Sequence, residues 1–193
     1  MNKLIINAND YFLEALSSAA TKYPLKYEPL VKPYLAGLLS KFLLSENLFV
    51  SEDNHLKNPT LAFLLKEAVE APLFEQKTKY QHLGDVALYI SGVFPSSLHR
   101  SLVGVDYYIQ MGSSAYSQTA YLDPNSAIIF NSLAKQFTKV MDLLSEATEI
   151  EPTTENQVLQ LYELFVITKS PRLLKKLNKV GIQPIVNIGK KTQ

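Results

Sequence analysis

The sequence predicts an all-α fold, a single-domain multi-helix bundle built around two central glycine-containing helices. Three observations support this class. Apolar residues recur at intervals of three and four along most of the chain, good capping side chains stand directly before several prolines, and the short alternating runs typical of strands are missing. With 193 residues, 47% of them apolar, the chain is long enough to bury a substantial core.

Helix starts are marked by capping residues. Asn58-Pro59, Asp123-Pro124 and Ser170-Pro171 each pair a capping side chain with a proline, and Thr154 with Gln157 has the spacing of a capping box. Between these signals the amphipathic pattern sets the lengths of the helices. We expect helices at residues 9–21, 28–48, 59–75, 77–94, 97–102, 105–121, 124–148, 154–168 and 171–180.

The last helix should end at Gly181, which stands where a left-handed cap is expected. Residues 182–188 are apolar but interrupted by proline, so we expect residues 182–193 to form an extended C-terminal tail after a helical domain over residues 1–181. The best hinge candidate inside that domain is the segment 149–153.

Composition narrows the range of functions. The chain has no cysteine, which excludes disulfides, thiolate nucleophiles and cysteine-based metal sites. A net charge of +1 gives no overall field that favours nucleic acid, and no apolar run reaches the length of a membrane span. Phosphate-binding loops, nucleophile elbows and His-Glu-x-x-His motifs are missing. We therefore expect a cytoplasmic protein without a cofactor or metal, and with no assigned catalytic residue.

The most informative segment is the helix expected at residues 77–94, which is apolar nearly all round and should be buried. Its polar exceptions, His82, Asp85 and Tyr89, are spaced three and four apart and so lie along one strip. A buried carboxylate needs a cation or several hydrogen-bond donors, or it stays protonated. The sequence therefore predicts that Asp85 lies inside the protein with other polar side chains around it.

Two interpretations of this group are open. It is either a buried polar network that fixes helix register, or a pocket in which Arg100 holds an anionic ligand and His82 or His99 exchanges protons. Tyrosines on the next helix would line the wall of such a pocket. The candidate ligand-binding residues are His82, Asp85, Tyr89, His99, Arg100, Asp106, Tyr107, Tyr108 and Tyr116.

Several motifs also resemble those of a family of uncharacterised helical bacterial proteins. They are Leu83-Gly84-Asp85, Ser91-Gly92-Val93-Phe94, Asp106-Tyr107-Tyr108, the spacing of Gly112 and Tyr116, and Ser170-Pro171-Arg172-Leu173 followed by Gly181-Ile182. The resemblance covers most of the chain from about Val31 onward. It implies a helical bacterial protein and assigns no activity, cofactor or partner.

The leading functional hypothesis is a non-enzymatic protein-binding or scaffold module, with a homo-oligomer expected because only 19% of the residues are charged. The alternative is a small-molecule-binding protein or enzyme with a polar pocket around Asp85. A scaffold predicts a filled interior there, whereas a pocket predicts a cavity open to solvent. A third possibility is anion or nucleic-acid binding through the basic residues Arg172, Lys175, Lys176 and Lys179.

Overall fold

The computed structural model describes residues 2–22, 28–43, 50–52, 55–57, 60–95, 98, 104–148 and 155–184. Within these ranges the all-α class is confirmed. The helices are α1 (Asn2–Lys22), α2 (Val31–Leu43), α3 (Leu61–Glu70), α4 (Leu73–Val93), α5 (Val105–Leu122), α6 (Ala127–Lys135), α7 (Phe137–Thr148), α8 (Glu155–Thr168) and α9 (Pro171–Lys179). None of these helices is long and apolar enough to cross a membrane.

One short hairpin departs from the prediction that strands are missing. Strand β1 (Val50–Glu52) pairs antiparallel with β2 (His55–Lys57), so that Val50 lies opposite Lys57. Strands of three residues are too short to show an alternating pattern, which is why the sequence did not reveal them. The helix expected at 28–48 is observed as α2, and residues 44–49 lie outside the described ranges.

Several helix boundaries also differ from the prediction: α1 begins at Asn2 instead of residue 9, α3 begins at Leu61 after the N-cap Thr60, and α6 begins at Ala127 instead of residue 124. The chain leaves the helical conformation at Ala71 and Pro72, because proline disfavours a helical residue before it, and so α4 begins at Leu73 instead of residue 77. The single helix expected at 124–148 is two helices, α6 and α7, separated by Gln136, whose φ and ψ are −116° and 23°. This break allows the ring of Phe137 to pack against Gly112 of α5.

The chain divides into two compact units, residues 1–150 and 151–193, with the boundary inside the segment expected to act as a hinge. In the first unit α4 packs against α2, α3, α5 and α7, and α5 also packs against α6. In the second unit α8 packs against α9. A single domain over residues 1–181 stays a prediction, as does the extended tail, of which residues 185–193 lie outside the described ranges.

The start and end of α9 match the sequence signals. The Ser170 hydroxyl accepts a hydrogen bond from the Leu173 N–H at 3.3 Å, with Pro171 in the first turn. At the other end Gly181 has a φ of +82°, and the N–H of Ile182 donates to the Leu177 carbonyl at 2.9 Å. Local sequence therefore determines both boundaries of this helix.

Helices α4 and α5 form the antiparallel pair that positions the candidate site. Lys77 Nζ lies 2.7 Å from Asp123 Oδ2 at one end of the pair. Ten residues further along α4, Ala87 lies against Gly112, which comes eleven residues before Asp123 in the chain. The two helices thus run in opposite directions, with Gly84 and Gly112 at the shared interface.

Candidate functional site

Asp85 lies in the buried middle of α4, inside an uninterrupted run of buried residues from 83 to 89. Only 4% of its surface is exposed. The expectation that this carboxylate sits in the protein interior is therefore met. An ionised carboxylate at such a position is costly unless donors or cations surround it, so its neighbours decide what the site can do.

Three helices supply those neighbours. The hydroxyls of Tyr34 on α2 and Tyr116 on α5 both donate hydrogen bonds to Asp85 Oδ1, the second at 3.0 Å. The other carboxylate oxygen, Oδ2, lies 3.9 Å from Nζ of Lys41, a partly exposed side chain on α2. Gln81, one turn before Asp85, donates from Nε2 to the Tyr34 hydroxyl at 3.2 Å. We call these five residues the Asp85 cluster.

Burial dominates the electrostatics of the cluster. It raises the pKa of Asp85 to about 6, although the hydrogen bond from Tyr34, the charge of Lys41 and the hydrogen bond from Tyr116 act in the opposite direction. Burial, followed by the charge of Asp85, raises the pKa of both Tyr34 and Tyr116. The two tyrosines therefore remain neutral and keep their hydroxyl protons available for donation.

Aromatic rings fill the space around the carboxylate. A Cβ added to Gly84 would lie 2.7 Å from the Tyr116 ring, so the glycine is needed for this close approach. The Tyr116 ring stacks on Phe130 with centroids 5.8 Å apart and lies 6.1 Å from the ring of Phe137. The rings of Tyr34 and Phe130 also pack edge to face, with centroids 5.6 Å apart. The Asp85 carboxylate is thus surrounded by protein side chains.

His82 is half-buried and faces a different set of neighbours. Its ring centroid lies 6.5 Å from that of Phe42. Burial lowers the pKa of His82, the charges of Lys41 and Lys79 lower it further, and the charge of Glu67 opposes them. The imidazole is therefore neutral at physiological pH, and its contacts do not place it on the Asp85 carboxylate.

Tyr89 belongs to a separate aromatic group at the end of α4. Its hydroxyl donates to the carbonyl oxygen of Phe42 at 3.4 Å, and its ring lies 4.8 Å from the Phe42 ring and 5.6 Å from the Phe94 ring. This side chain secures the end of α2 against α4. It is satisfied without the Asp85 carboxylate.

Three further candidate residues, at the start of α5, do not join Asp85. Asp106, Tyr107 and Tyr108 lie in the first turn of α5, eight to ten residues and therefore about 12 to 15 Å from Tyr116 along the helix axis. Asp106 is exposed there, and the rings of Tyr107 and Tyr108 contact each other edge to face at 6.1 Å.

His99 and Arg100 lie outside the described residues, as does most of the short helix expected at 97–102. Among the candidates that lie within the described residues, Tyr116 is thus the one that contacts Asp85.

Sequence reasoning missed Tyr34, Lys41 and Gln81. Tyr34 recurs at helical spacing with the apolar residues of α2, a pattern that predicts a ring in the core and does not indicate a role for the hydroxyl. Tyr34 and Lys41 are seven residues apart and therefore share one face of α2, but nothing in the sequence shows which helix that face meets. Gln81 precedes Asp85 by four residues, a spacing that places both on one side of α4 and was the only local signal.

A shallow polar groove lies between α5 and α6. Its volume is about 380 Å³, and it is lined by Ser113, Ser114, Ser117, Gln118, Ala134 and Lys135. The hydroxyl of Ser113 donates to the Ile109 carbonyl and that of Ser117 to the Ser113 carbonyl, so both are satisfied within α5. These hydroxyls are engaged with their own helix.

The structure also bears on two other kinds of site, a metal site and a basic anion-binding face on α9. No group of three or more His, Asp or Glu side chains in the described ranges is arranged to hold a metal ion. In the second unit, Arg172 is 2% exposed, which removes it from any accessible basic face formed by α9. Lys175 and Lys179 are exposed.

Comparison of the chain with protein-family models, with curated proteins and with solved structures found no match. The likeness to a family of helical bacterial proteins therefore stays a resemblance. What the protein does has to be argued from its own residues.

Proposed function

We propose that this protein is a non-enzymatic protein-binding module that associates with a second copy of itself. The observation that supports it is a group of large apolar side chains left uncovered at one end of the α4–α5 pair. We call this group the apolar end, and its members are between 57% and 81% exposed: Val69, Leu73, Phe74, Tyr121 and Ile128. Concentrations of exposed apolar surface on soluble proteins mark interaction sites.

The geometry of the two helices places these residues at the same end of the pair. Phe74 lies one turn before Lys77, on the same face of α4. Because Lys77 meets Asp123 just after the end of α5, Phe74 extends past that end with no part of α5 beside it. Tyr121 lies two residues before Asp123, and Ile128 follows in the first turn of α6. Both ends of the turn between α5 and α6 are therefore apolar.

Val69 and Leu73 flank the short connection between α3 and α4, which Pro72 forms. This connection lies next to Phe74 and thus at the same end of the bundle. Aromatic side chains such as Phe74 supply much of the binding energy when a partner covers them.

Charge around the apolar end favours a second copy as the partner. Most of the nearby charged side chains are paired within the chain, namely Lys77 with Asp123 at 2.7 Å, Lys79 with Glu67 at 3.5 Å and Lys66 with Glu70 at 4.0 Å, and the exposed Glu75 adds a single negative charge. Balanced pairs leave no strong field of one sign, so two copies can approach without repulsion. A strongly charged partner would gain no electrostatic advantage here.

The Asp85 cluster supports the non-enzymatic part of the proposal. Two hydroxyls occupy Asp85 Oδ1, and aromatic rings fill the surrounding space, so the group ties α2, α4 and α5 together. A fully satisfied polar network of this kind specifies packing.

Sedimentation velocity over a range of concentrations tests self-association. We expect the mass of the wild-type protein to rise from monomer toward dimer, and Phe74→Ser to stay monomeric because it removes one of the two most exposed rings of the apolar end. The matched control is Tyr11→Ser, which changes a 64% exposed aromatic side chain on α1. This variant should associate as the wild type does.

A wild-type protein that stays monomeric at every concentration contradicts self-association. Protein binding in general is then tested with a photo-crosslinking amino acid at position 74 in cells. Failure to recover any crosslinked protein contradicts the binding function as a whole.

A small-molecule site at the Asp85 cluster is the second candidate. It is favoured by the shifted pKa of the Asp85 carboxyl, because strongly perturbed groups concentrate at functional sites. Native mass spectrometry of the purified protein tests it. A bound molecule that Lys41→Ala releases would support this candidate, and a mass equal to that of the chain in both proteins would count against it.

A further inference from the structure

We propose that the Asp85 cluster is a proton-sensitive junction: uptake of a proton by Asp85 holds α2 against the α4–α5 pair, and loss of that proton favours its release. The inference concerns the first unit alone and does not depend on the apolar end. It makes the docking of one helix a function of pH.

The contacts of α2 concentrate on this one group. Tyr34 donates to Asp85 Oδ1, Lys41 lies 3.9 Å from Oδ2, and Gln81 on α4 donates to the hydroxyl of Tyr34. Across α4, Tyr116 is the partner from α5. Two of the side chains that enclose the carboxylate therefore belong to α2, and undocking of α2 would expose the carboxylate to water.

The energetics follow from that exposure. With α2 docked, Asp85 is buried and its charged form lacks solvation, whereas with α2 released the carboxylate regains water. A proton is therefore held more tightly in the docked state, and by linkage the proton favours docking. Burial raises the pKa of Asp85 from 3.8 to about 6. Because the docked value is the higher one, this contribution is complete below the ordinary pKa and is lost as pH rises through 6.

Other titratable groups near the cluster have defined effects. Lys41 on α2 favours the charged carboxylate, and Tyr34 and Tyr116 remain neutral. From α6 the contact is Phe130, which carries no charge.

His82 on α4 acts in the opposite sense to Asp85. Its pKa is lowered by burial, so its contribution to stability is complete above its ordinary pKa and is lost as pH falls through the lowered value. Any pH dependence from His82 therefore opposes that from Asp85, and the two can be separated by mutation.

Hydrogen exchange measured by mass spectrometry on the whole chain tests the junction. The opening constant of α2 amides, corrected for the intrinsic pH dependence of exchange, should rise roughly tenfold between pH 5 and pH 7.5. Amides of α5 provide the internal reference for global unfolding. We expect α2 to exchange through a smaller opening than α5, so that its protection is lower throughout.

In Asp85→Asn the rise in the α2 opening constant should shrink to less than about twofold, because the titrating group is gone. In the matched control His82→Gln, the tenfold rise should persist or increase, since the opposing titration is removed. Exchange of α2 that is independent of pH in the wild type, or that always coincides with α5, would overturn the proposal.

A second measurement needs no variant and so remains decisive if Asp85→Asn does not fold. The carboxyl carbon of Asp85 can be followed by NMR as the wild-type protein is titrated. A midpoint near pH 6 is the expected result, and a midpoint at the ordinary value for aspartate, about 3.9, would refute the junction.

Discussion

The middle and the end of the α4–α5 pair use the same two helices in opposite ways. In the middle, Gly84 and Gly112 bring the helices close, and the rings of Tyr116 and Phe137 occupy the space that side chains on the glycines would need. At the end, the side chains of Phe74 and its apolar neighbours are between 57% and 81% exposed to solvent. The middle is built from small residues against large ones, whereas the end presents large residues to solvent.

This difference separates stability from binding within one pair of helices. A close-packed interface responds to any change of volume, since its neighbours cannot move far. An exposed side chain contributes little to folding and is free to serve an intermolecular contact. We therefore expect substitutions in the middle to change the free energy of unfolding, and substitutions at the apolar end to change association.

The largest effect on stability should come from Asp85→Ala. The change strands the Tyr116 hydroxyl and removes the acceptor of the Tyr34 hydroxyl, at a cost of about 3 kcal/mol in the free energy of unfolding at pH 5. At pH 7.5 the cost should be about 1 kcal/mol smaller, because the variant also escapes the penalty of burying a charge. Urea unfolding at the two pH values measures both quantities. Unchanged or increased stability would instead indicate a strained functional site.

A smaller loss is expected for Gly112→Ala. The added Cβ would lie 2.4 Å from the Phe137 ring and 3.0 Å from the Ala87 Cβ, so the variant should lose about 2 kcal/mol even after the gain in helix propensity. Gly37→Ala on α2 is the matched control, because nothing lies within 4 Å of the added Cβ.

The control should gain about 0.5 to 1 kcal/mol in the same urea experiment. Equal effects at the two glycines would show that the middle of the pair is not tightly packed.

The smallest effect on stability is expected for Phe74→Ser. Because the side chain is 81% exposed, the free energy of unfolding of the monomer should change by less than about 0.5 kcal/mol, while association is lost. Thermal unfolding of dilute protein checks the first part. A loss of several degrees in dilute solution would place Phe74 in the fold of the monomer and remove the contrast between the two regions.

Much of the fold could be predicted from local sequence. The start of α9 at Ser170 and Pro171, its end at Gly181 and the burial of Asp85 follow from capping chemistry and helical periodicity, which act within a few residues. The break at Gln136 could not be predicted in this way. The residue after the break, Phe137, packs its ring against Gly112, a contact between residues distant in sequence that local patterns do not reveal.

Only part of the candidate site could be predicted, because the rest also depends on contacts between residues distant in sequence. Asp85 and Tyr116 were among the candidate residues, but Lys41, which approaches the carboxylate, lies two helices earlier, whereas the pocket hypothesis named Arg100 in the segment that follows α4 as its cation. Arg100 is the nearer of the two to Asp85 along the chain, but nearness along the chain does not determine which side chain lies beside the carboxylate in the fold. The packing of α2 on α4 supplies the missing information, and periodicity gives the face of each helix but not its partner.

The most direct test of the account is a double-mutant cycle between Asp85→Ala and Tyr116→Phe, measured by urea unfolding at pH 5. Tyr116→Phe removes only the hydroxyl that donates to Asp85 Oδ1 at 3.0 Å and keeps the ring in place. We predict a coupling of at least about 1 kcal/mol, since the two side chains share one buried hydrogen bond. Additivity of the two changes to within about 0.3 kcal/mol would contradict a cluster that holds the middle of the helix pair together.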